Sequence, residues 1–131
     1  MVNSISLKGF TSFTDNSFSF TNGINILIGK NGTGKTHVLK SLASAMQARH
    51  EFQAKQTTSK EQFEYILAEN MGHYFKPDSI GNLVNKNIIS GKSTVGIEID
   101  GKELLFSFST TSKTTVKIEK DDKWDDCQFI Y

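Results

Sequence analysis

Arginine is almost missing from this chain: Arg49 is the only one. Small phosphoryl-transfer kinases close an arginine-rich lid over their substrate, which argues strongly against that class. Cysteine is equally scarce. Cys127 stands alone, so no internal disulfide can form, which fits a reducing cytosol. A single proline beside ten phenylalanines argues for a packed, strand-rich fold and against disorder. Strong charge of either sign is lacking too. The formal net charge is +1, which makes no whole-chain case for binding nucleic acid or a membrane surface. No apolar run approaches the roughly 20 residues that span a bilayer. Met1-Val2-Asn3-Ser4 has no basic start leading into an apolar segment. The expectation is a cytoplasmic protein with no membrane partner.

The 131 residues suffice for one domain, not comfortably for two. Ile5 and Leu7 alternate with Ser4, Ser6 and Lys8, the period of a strand. Phe18 and Phe20 alternate with Ser17 and Ser19 and predict a second strand. Asn22-Gly23 is a turn signal, and Ile24 to Ile28 is apolar on both parities apart from Asn25, as in a strand covered on both faces. Val38, Leu39, Leu42, Ala45 and Met46 then recur at helical spacing and predict a helix from about Gly34 to Arg49. Gln53 to Thr58 is polar and reads as a loop. Ser59-Lys60-Glu61-Gln62 has the form of a capping box, and Phe63, Ile66, Leu67, Met71 and Tyr74 make one apolar stripe, so a second helix is predicted, ending near Pro77.

The last third changes character. Val95, Ile97 and Ile99 alternate with polar residues, Asp100-Gly101 is a favoured two-residue hairpin turn, and Leu104, Phe106 and Phe108 continue the alternation. Thr115 to Lys120 and Cys127 to Tyr131 add two further candidate strands, giving an antiparallel sheet. The sequence stops at Phe129-Ile130-Tyr131 within a strand-like run, which reads as a cut through a larger domain.

One motif carries chemistry. Gly29-Lys30-Asn31-Gly32-Thr33-Gly34-Lys35-Thr36 has the P-loop (Walker A) pattern, placed after an apolar strand and at the start of a helix. A phosphate must approach successive backbone N–H groups, and side chains there would block it, hence Gly29, Gly32 and Gly34. The N–H groups from Gly32 through Thr33 and Gly34 to Thr36 can converge on a β-phosphate, assisted by the positive end of the helix. Lys35 is placed to reach the β- and γ-phosphates and is the candidate catalytic group. Thr36 is placed to offer its hydroxyl to Mg²⁺. The implied cofactors are ATP and Mg²⁺. The P-loop by itself does not separate ATP from GTP, although no Asn-Lys-x-Asp guanine motif exists: Asn85-Lys86-Asn87 is followed by Ile88.

Leu7-Lys8-Gly9-Phe10-Thr11-Ser12-Phe13, Phe18 to Phe20, and the block from Gly23-Ile24-Asn25 to Thr36 together resemble the opening of the SMC/RecF-like ATPases, ABC-type enzymes of DNA repair, chromosome handling and antiphage defence. The resemblance covers about the first 47 residues, and Asn31 matches the family's Asn before the central glycine, which adds it to the cofactor-binding set. The family often has Arg, near the nucleotide phosphates, where this chain has Thr11. The resemblance implies an α/β fold, a P-loop NTPase with an ABC-ATPase-like N-terminal lobe and an antiparallel β-layer. Residues 1–131 would form a single nucleotide-binding lobe: strands, P-loop and first helix over 1–50, a helical insert over 51–90, and antiparallel strands over 91–131. It further implies that two heads sandwich ATP between one P-loop and the partner's signature loop, and that the full-length protein acts on DNA.

Several pieces of such an ATPase have no clear counterpart. A Walker B strand ends in Asp, often followed by Glu. Val95 to Asp100 ends in an acid, but Asp100-Gly101 is better read as a turn, and Tyr65 to Glu69 lies on the second helix. Ile89-Ser90-Gly91-Lys92-Ser93 echoes a signature loop faintly and reads as a Ser-Gly turn. Gln128 is a weak counterpart of the family's Q-loop. His37, His50 and His73 lack metal-ligand spacing and read as surface or helix residues, and Cys127 as a strand residue. Asp121-Asp122 and Asp125-Asp126 around Lys123-Trp124 read as a charged turn, and Lys113, Lys117, Lys120 and Lys123 as a solvated sheet face. Two functions therefore remain: ATP binding as part of a hydrolysing ATPase completed by a missing C-terminal half or a second head, or a non-hydrolysing nucleotide-binding or interaction module.

Overall fold

A computed structural model describes residues 2–21, 23, 25, 34–55 and 59–123. In chain order these form β1 (Val2–Phe10), β2 (Phe13–Ser19), α1 (Lys35–Ala54), α2 (Lys60–Phe75), a 3-10 turn (Ile80–Leu83), β3 (Lys92–Ile99), β4 (Lys102–Ser109) and β5 (Lys117–Asp121). The strands make one sheet in the order β2-β1-β3-β4-β5, and every neighbouring pair is antiparallel. The helices occupy the long excursion between β2 and β3.

The alternation read from the sequence sets the buried face. Register aligns Ile5, Ile97 and Leu104 in one row, and Leu7, Val95, Phe106 and Ile118 in the next; all seven are buried. Each such side chain contributes about 1.5–3 kcal/mol through burial. Register puts Lys8, Thr94 and Ser107 in a row of the opposite parity. The helices join the apolar face in a single core: Val38, Leu42 and Met46 of α1, and Phe63, Ile66, Leu67 and Met71 of α2. Phe10 ties the layers together, its ring edge-on to Phe75 of α2 at 5.4 Å and to Phe108 of β4 at 6.1 Å.

The ends of the elements follow local chemistry. Ser59 caps α2 by accepting from the Gln62 N–H at 3.3 Å, as the capping pattern predicts. Lys76 closes that helix in a left-handed conformation (φ 53), its N–H donating to the Gly72 carbonyl at 2.9 Å, and Pro77 follows. Asp100 and Gly101 both have positive φ (51 and 79), as a tight two-residue hairpin turn requires.

Three boundaries differ from the sequence reading. Helix α1 continues to Ala54 instead of stopping near Arg49, because Phe52 keeps the apolar stripe going and stacks on Phe63 at 4.8 Å. Gln53 is thus helical. Strand β2 begins at Phe13; its Thr14 to Ser17 stretch is polar because it is an edge strand, paired by backbone to β1 and largely exposed. Strand β5 runs from Lys117 to Asp121, slightly later than predicted. The candidate strands Ile24 to Ile28 and Cys127 to Tyr131 lie outside the described residues, as does Gln128.

Candidate functional site

Of the motif residues, Gly34, Lys35 and Thr36 are described, whereas Gly29, Asn31, Gly32 and Thr33 lie outside the described residues. Gly34 is the N-cap of α1 in a left-handed conformation (φ 94, ψ 8), a region nearly closed to residues with a Cβ. Its carbonyl accepts the first turn's bond from the Val38 N–H at 3.2 Å. Lys35 and Thr36 are the first two residues of the helix, one half-buried and the other exposed. At 20 residues α1 is about 30 Å long, and its first turn holds no acidic side chain. The partial positive charge of that terminus is therefore not neutralised from within the turn. The exposed hydroxyl of Thr36 and the cationic Lys35 at this end suit a phosphate-bound Mg²⁺ and the phosphates themselves.

The β1–β2 turn, Thr11-Ser12, forms a wall against this terminus. A Cβ built on Gly34 would lie 2.6 Å from the Phe13 ring and 2.8 Å from Ser12 Oγ, so the glycine is required by space as well as by φ. Thr11 itself is left-handed (φ 50), uncommon for a β-branched residue. Its N–H donates to the Leu83 carbonyl at 2.7 Å, and its Oγ1 lies 3.0 Å from Nδ1 of His37 in the first turns of α1. Asn85, buried, brackets the same turn. Its N–H donates to the Gly9 carbonyl at 2.7 Å and its Nδ2 to the Phe13 carbonyl at 3.4 Å, while its Oδ1 accepts from the Asn87 N–H at 2.8 Å.

His37, read from the sequence as a surface or helix residue, lies in α1 and faces this turn. It is half-buried, its ring 5.6 Å from that of Phe75, and burial, seconded by the nearby Lys40 ammonium, holds its imidazole below the usual histidine pKa. No spacing rule links Thr11, His37 and Asn85, which come from three separate elements. Only the unusual Thr at the position where the resembling family carries Arg gave a signal.

The other sequence candidates resolve without chemistry. Asp100 sits in the exposed hairpin turn. Tyr65 is largely exposed on α2. Gly91 (φ 64) makes the turn that leads into β3 at Lys92. No group of three or more potential metal ligands occurs among the described residues. Asp121, read as part of a charged turn, instead pairs with the buried Arg49. A cavity of about 340 Å³ beside that pair, lined in part by Phe52, Phe63 and Ile118, opens near the far end of α1, about 25 Å of helix away from Lys35.

Comparison with known proteins gives a consistent picture. The sequence profile of the AAA domain family (AAA_23) matches residues 4–127. The DNA replication and repair protein RecF of Francisella tularensis subsp. novicida is 42% identical over 41 residues, and those of subsp. holarctica and subsp. mediasiatica match equally. The matched segment is 31% of this chain but only 12% of the RecF length. Among solved structures, one described under ATP-driven dimerization and DNA-stimulated activation of SMC ATPases superposes with a TM-score of 0.56 over 92% of this chain and 70% of its own, at 14% identity. The likeness is one of fold.

Proposed function

This chain belongs to the AAA domain family, with the character of the SMC/RecF-like P-loop ATPases, and we propose that its Gly29 to Thr36 segment binds the phosphates of Mg-ATP. The observation that carries the reading is the motif's own ending: Gly34 in a left-handed N-cap, followed at once by Lys35 and Thr36 at the head of a 20-residue helix. Gly29, Asn31, Gly32 and Thr33 would complete the cradle of backbone N–H groups, with Lys35 on the β- and γ-phosphates. Thr36 would hold Mg²⁺, which when bound neutralises charge between those phosphates.

Arg49 is buried against Asp121 at 2.5 Å, so the phosphates are met by lysine and backbone N–H groups rather than by an arginine of this chain. In the complete protein, ATP would be hydrolysed between two heads or with a further segment that supplies Walker B and the signature loop. The RecF relatives are named for DNA replication and repair, which supports a DNA-linked role for the whole protein. Residues 1–131 would be one nucleotide-binding lobe of it. No described helix is long and apolar enough to cross a membrane.

A second reading, a module that binds nucleotide without hydrolysing it, is favoured for the isolated chain by one observation. The apolar run Val95 to Ile99 ends at Asp100 in a hairpin turn and not in a Walker B acid. Calorimetric titration of Mg-ATP into the purified chain tests both. Binding lost in Lys35→Ala supports the phosphate site; equal affinity in a folded Lys35→Ala chain overturns it. Competition between ATP and GTP identifies the base.

A further inference from the structure

The β1–β2 turn is more tightly determined than a two-residue connection needs to be. Thr11 is held on one side by its N–H bond to the Leu83 carbonyl, and Asn85 grips the carbonyls of Gly9 and Phe13 that flank it. On the other side its Oγ1 reaches His37 Nδ1 at 3.0 Å, and Ser12 and Phe13 fill the space a Gly34 side chain would need. Three elements, the turn, the loop after α2 and the head of α1, therefore meet at one threonine.

That threonine has a conformation it adopts only under constraint. A β-branched residue at φ 50 is strained by an amount that a glycine would not feel. A turn selected for stability alone would place Gly or Asn here. What its hydroxyl does accounts for a strained Thr here: its partner is His37, the residue that follows Thr36. Glycine would keep the turn and lose that bond.

We propose that Thr11 and His37 are positioning residues for phosphate binding: their contact fixes the head of α1, and with it Lys35 and Thr36, against the β1–β2 turn. The inference rests on the Mg-ATP reading above. Neither side chain is assigned a contact with nucleotide. The buried Asn85 and the Leu83 carbonyl hold the turn from behind, so that the turn acts as a fixed abutment and His37 as the tie to the helix.

Strain and function predict opposite effects for one substitution, which makes the test decisive. In Thr11→Gly the backbone strain is relieved, so the melting temperature stays level or rises, while Mg-ATP affinity measured by calorimetry falls about threefold to tenfold, the worth of one hydrogen bond. Thr11→Ser retains the hydroxyl and keeps wild-type affinity. His37→Phe weakens binding to the same degree as Thr11→Gly, and the two combined weaken it no further, since both remove one contact. Thr11→Gly binding as tightly as wild type overturns the proposal, as does full additivity of the two substitutions. A wild-type chain that binds no Mg-ATP overturns the phosphate reading and this inference with it; a wild-type chain that binds, with unaffected variants, overturns this inference alone.

Discussion

The guanidinium of Arg49 meets the carboxylate of Asp121 at 2.5 Å, joining α1 to the edge strand β5 across 72 positions of sequence. Arg49 is 3% exposed and Asp121 18%. The same guanidinium lies 4.2 Å from the centroid of the Phe63 ring on α2. A second carboxylate assists: Glu64 of α2 accepts the Ile118 N–H of β5 at 2.7 Å. An edge strand with few apolar residues is thus fastened to the helices by acids, one on the strand and one facing it. The chain's only arginine serves that purpose.

Breaking a buried pair strands the remaining charge, which costs more than the pair is worth in itself. Arg49→Ala is expected to lower unfolding stability by about 3 kcal/mol in urea titrations. The double change Arg49→Met with Asp121→Leu, which removes both charges and retains bulk, should lose less than Arg49→Ala alone. A loss below about 0.5 kcal/mol for Arg49→Ala, the size of an exposed pair, would show that β5 does not depend on it.

The sheet and both helices were legible because their signals are periodic and local. Val95 to Ile99 and Leu104 to Phe108 alternate cleanly, and Asp100-Gly101 fixes their register. The capping serine of α2 sits where its pattern puts it. The polar edge strand β2 was half seen, because its pairing is made by backbone groups that composition does not report. The Arg49–Asp121 pair was hidden, yet a trace existed: Arg49 falls on the helical stripe of Leu42, Ala45 and Phe52, a charge where core is expected. The Thr11–His37 contact left only Thr11 in place of the family's Arg as a trace, since the contact itself depends on where a turn and a helix end meet after folding. The phosphate motif stood out in the sequence by its spacing from Gly29 to Thr36, of which Gly34, Lys35 and Thr36 are described.

Gly34 combines two constraints that can be separated by comparison with Gly101. Both have positive φ, 94 and 79, but a Cβ on Gly101 meets nothing within 4 Å, whereas one on Gly34 strikes the Phe13 ring and Ser12 Oγ. Gly101→Ala should cost about 1–2 kcal/mol, the backbone penalty alone. Gly34→Ala should cost measurably more and also abolish Mg-ATP binding by displacing the head of α1. Equal losses for the two substitutions in parallel thermal melts would mean that the β1–β2 turn yields freely.

His37 makes stability depend on pH in a definite direction. Its pKa in the folded chain lies below the ordinary 6.5, from burial first and Lys40 second, so the unfolded chain takes up the proton earlier as pH falls. The contribution is complete above pH 6.5 and is lost as pH drops from there through the lower folded value. Wild type should therefore lose stability relative to His37→Gln as the pH falls below about 6.5. A wild-type-minus-variant difference that stays constant through that fall would refute the assignment.

Phosphate binding and hydrolysis call for different parts, and only the first is proposed for this chain. Hydrolysis needs an acid at the end of a buried strand to hold Mg²⁺ or orient water, together with charge stabilisation at the transferring phosphoryl group. The only arginine is spent on Asp121, and the acid at the end of β3 turns outward in the hairpin at Asp100. Added Mg-ATP should accordingly be bound and returned intact by this chain alone, with phosphate release at the level of a protein-free control in a coupled assay. Steady release that Lys35→Ala abolishes would show that the catalytic acid is already within these 131 residues. Release that persists in Lys35→Ala would point to a contaminating enzyme and leave the P-loop out of it.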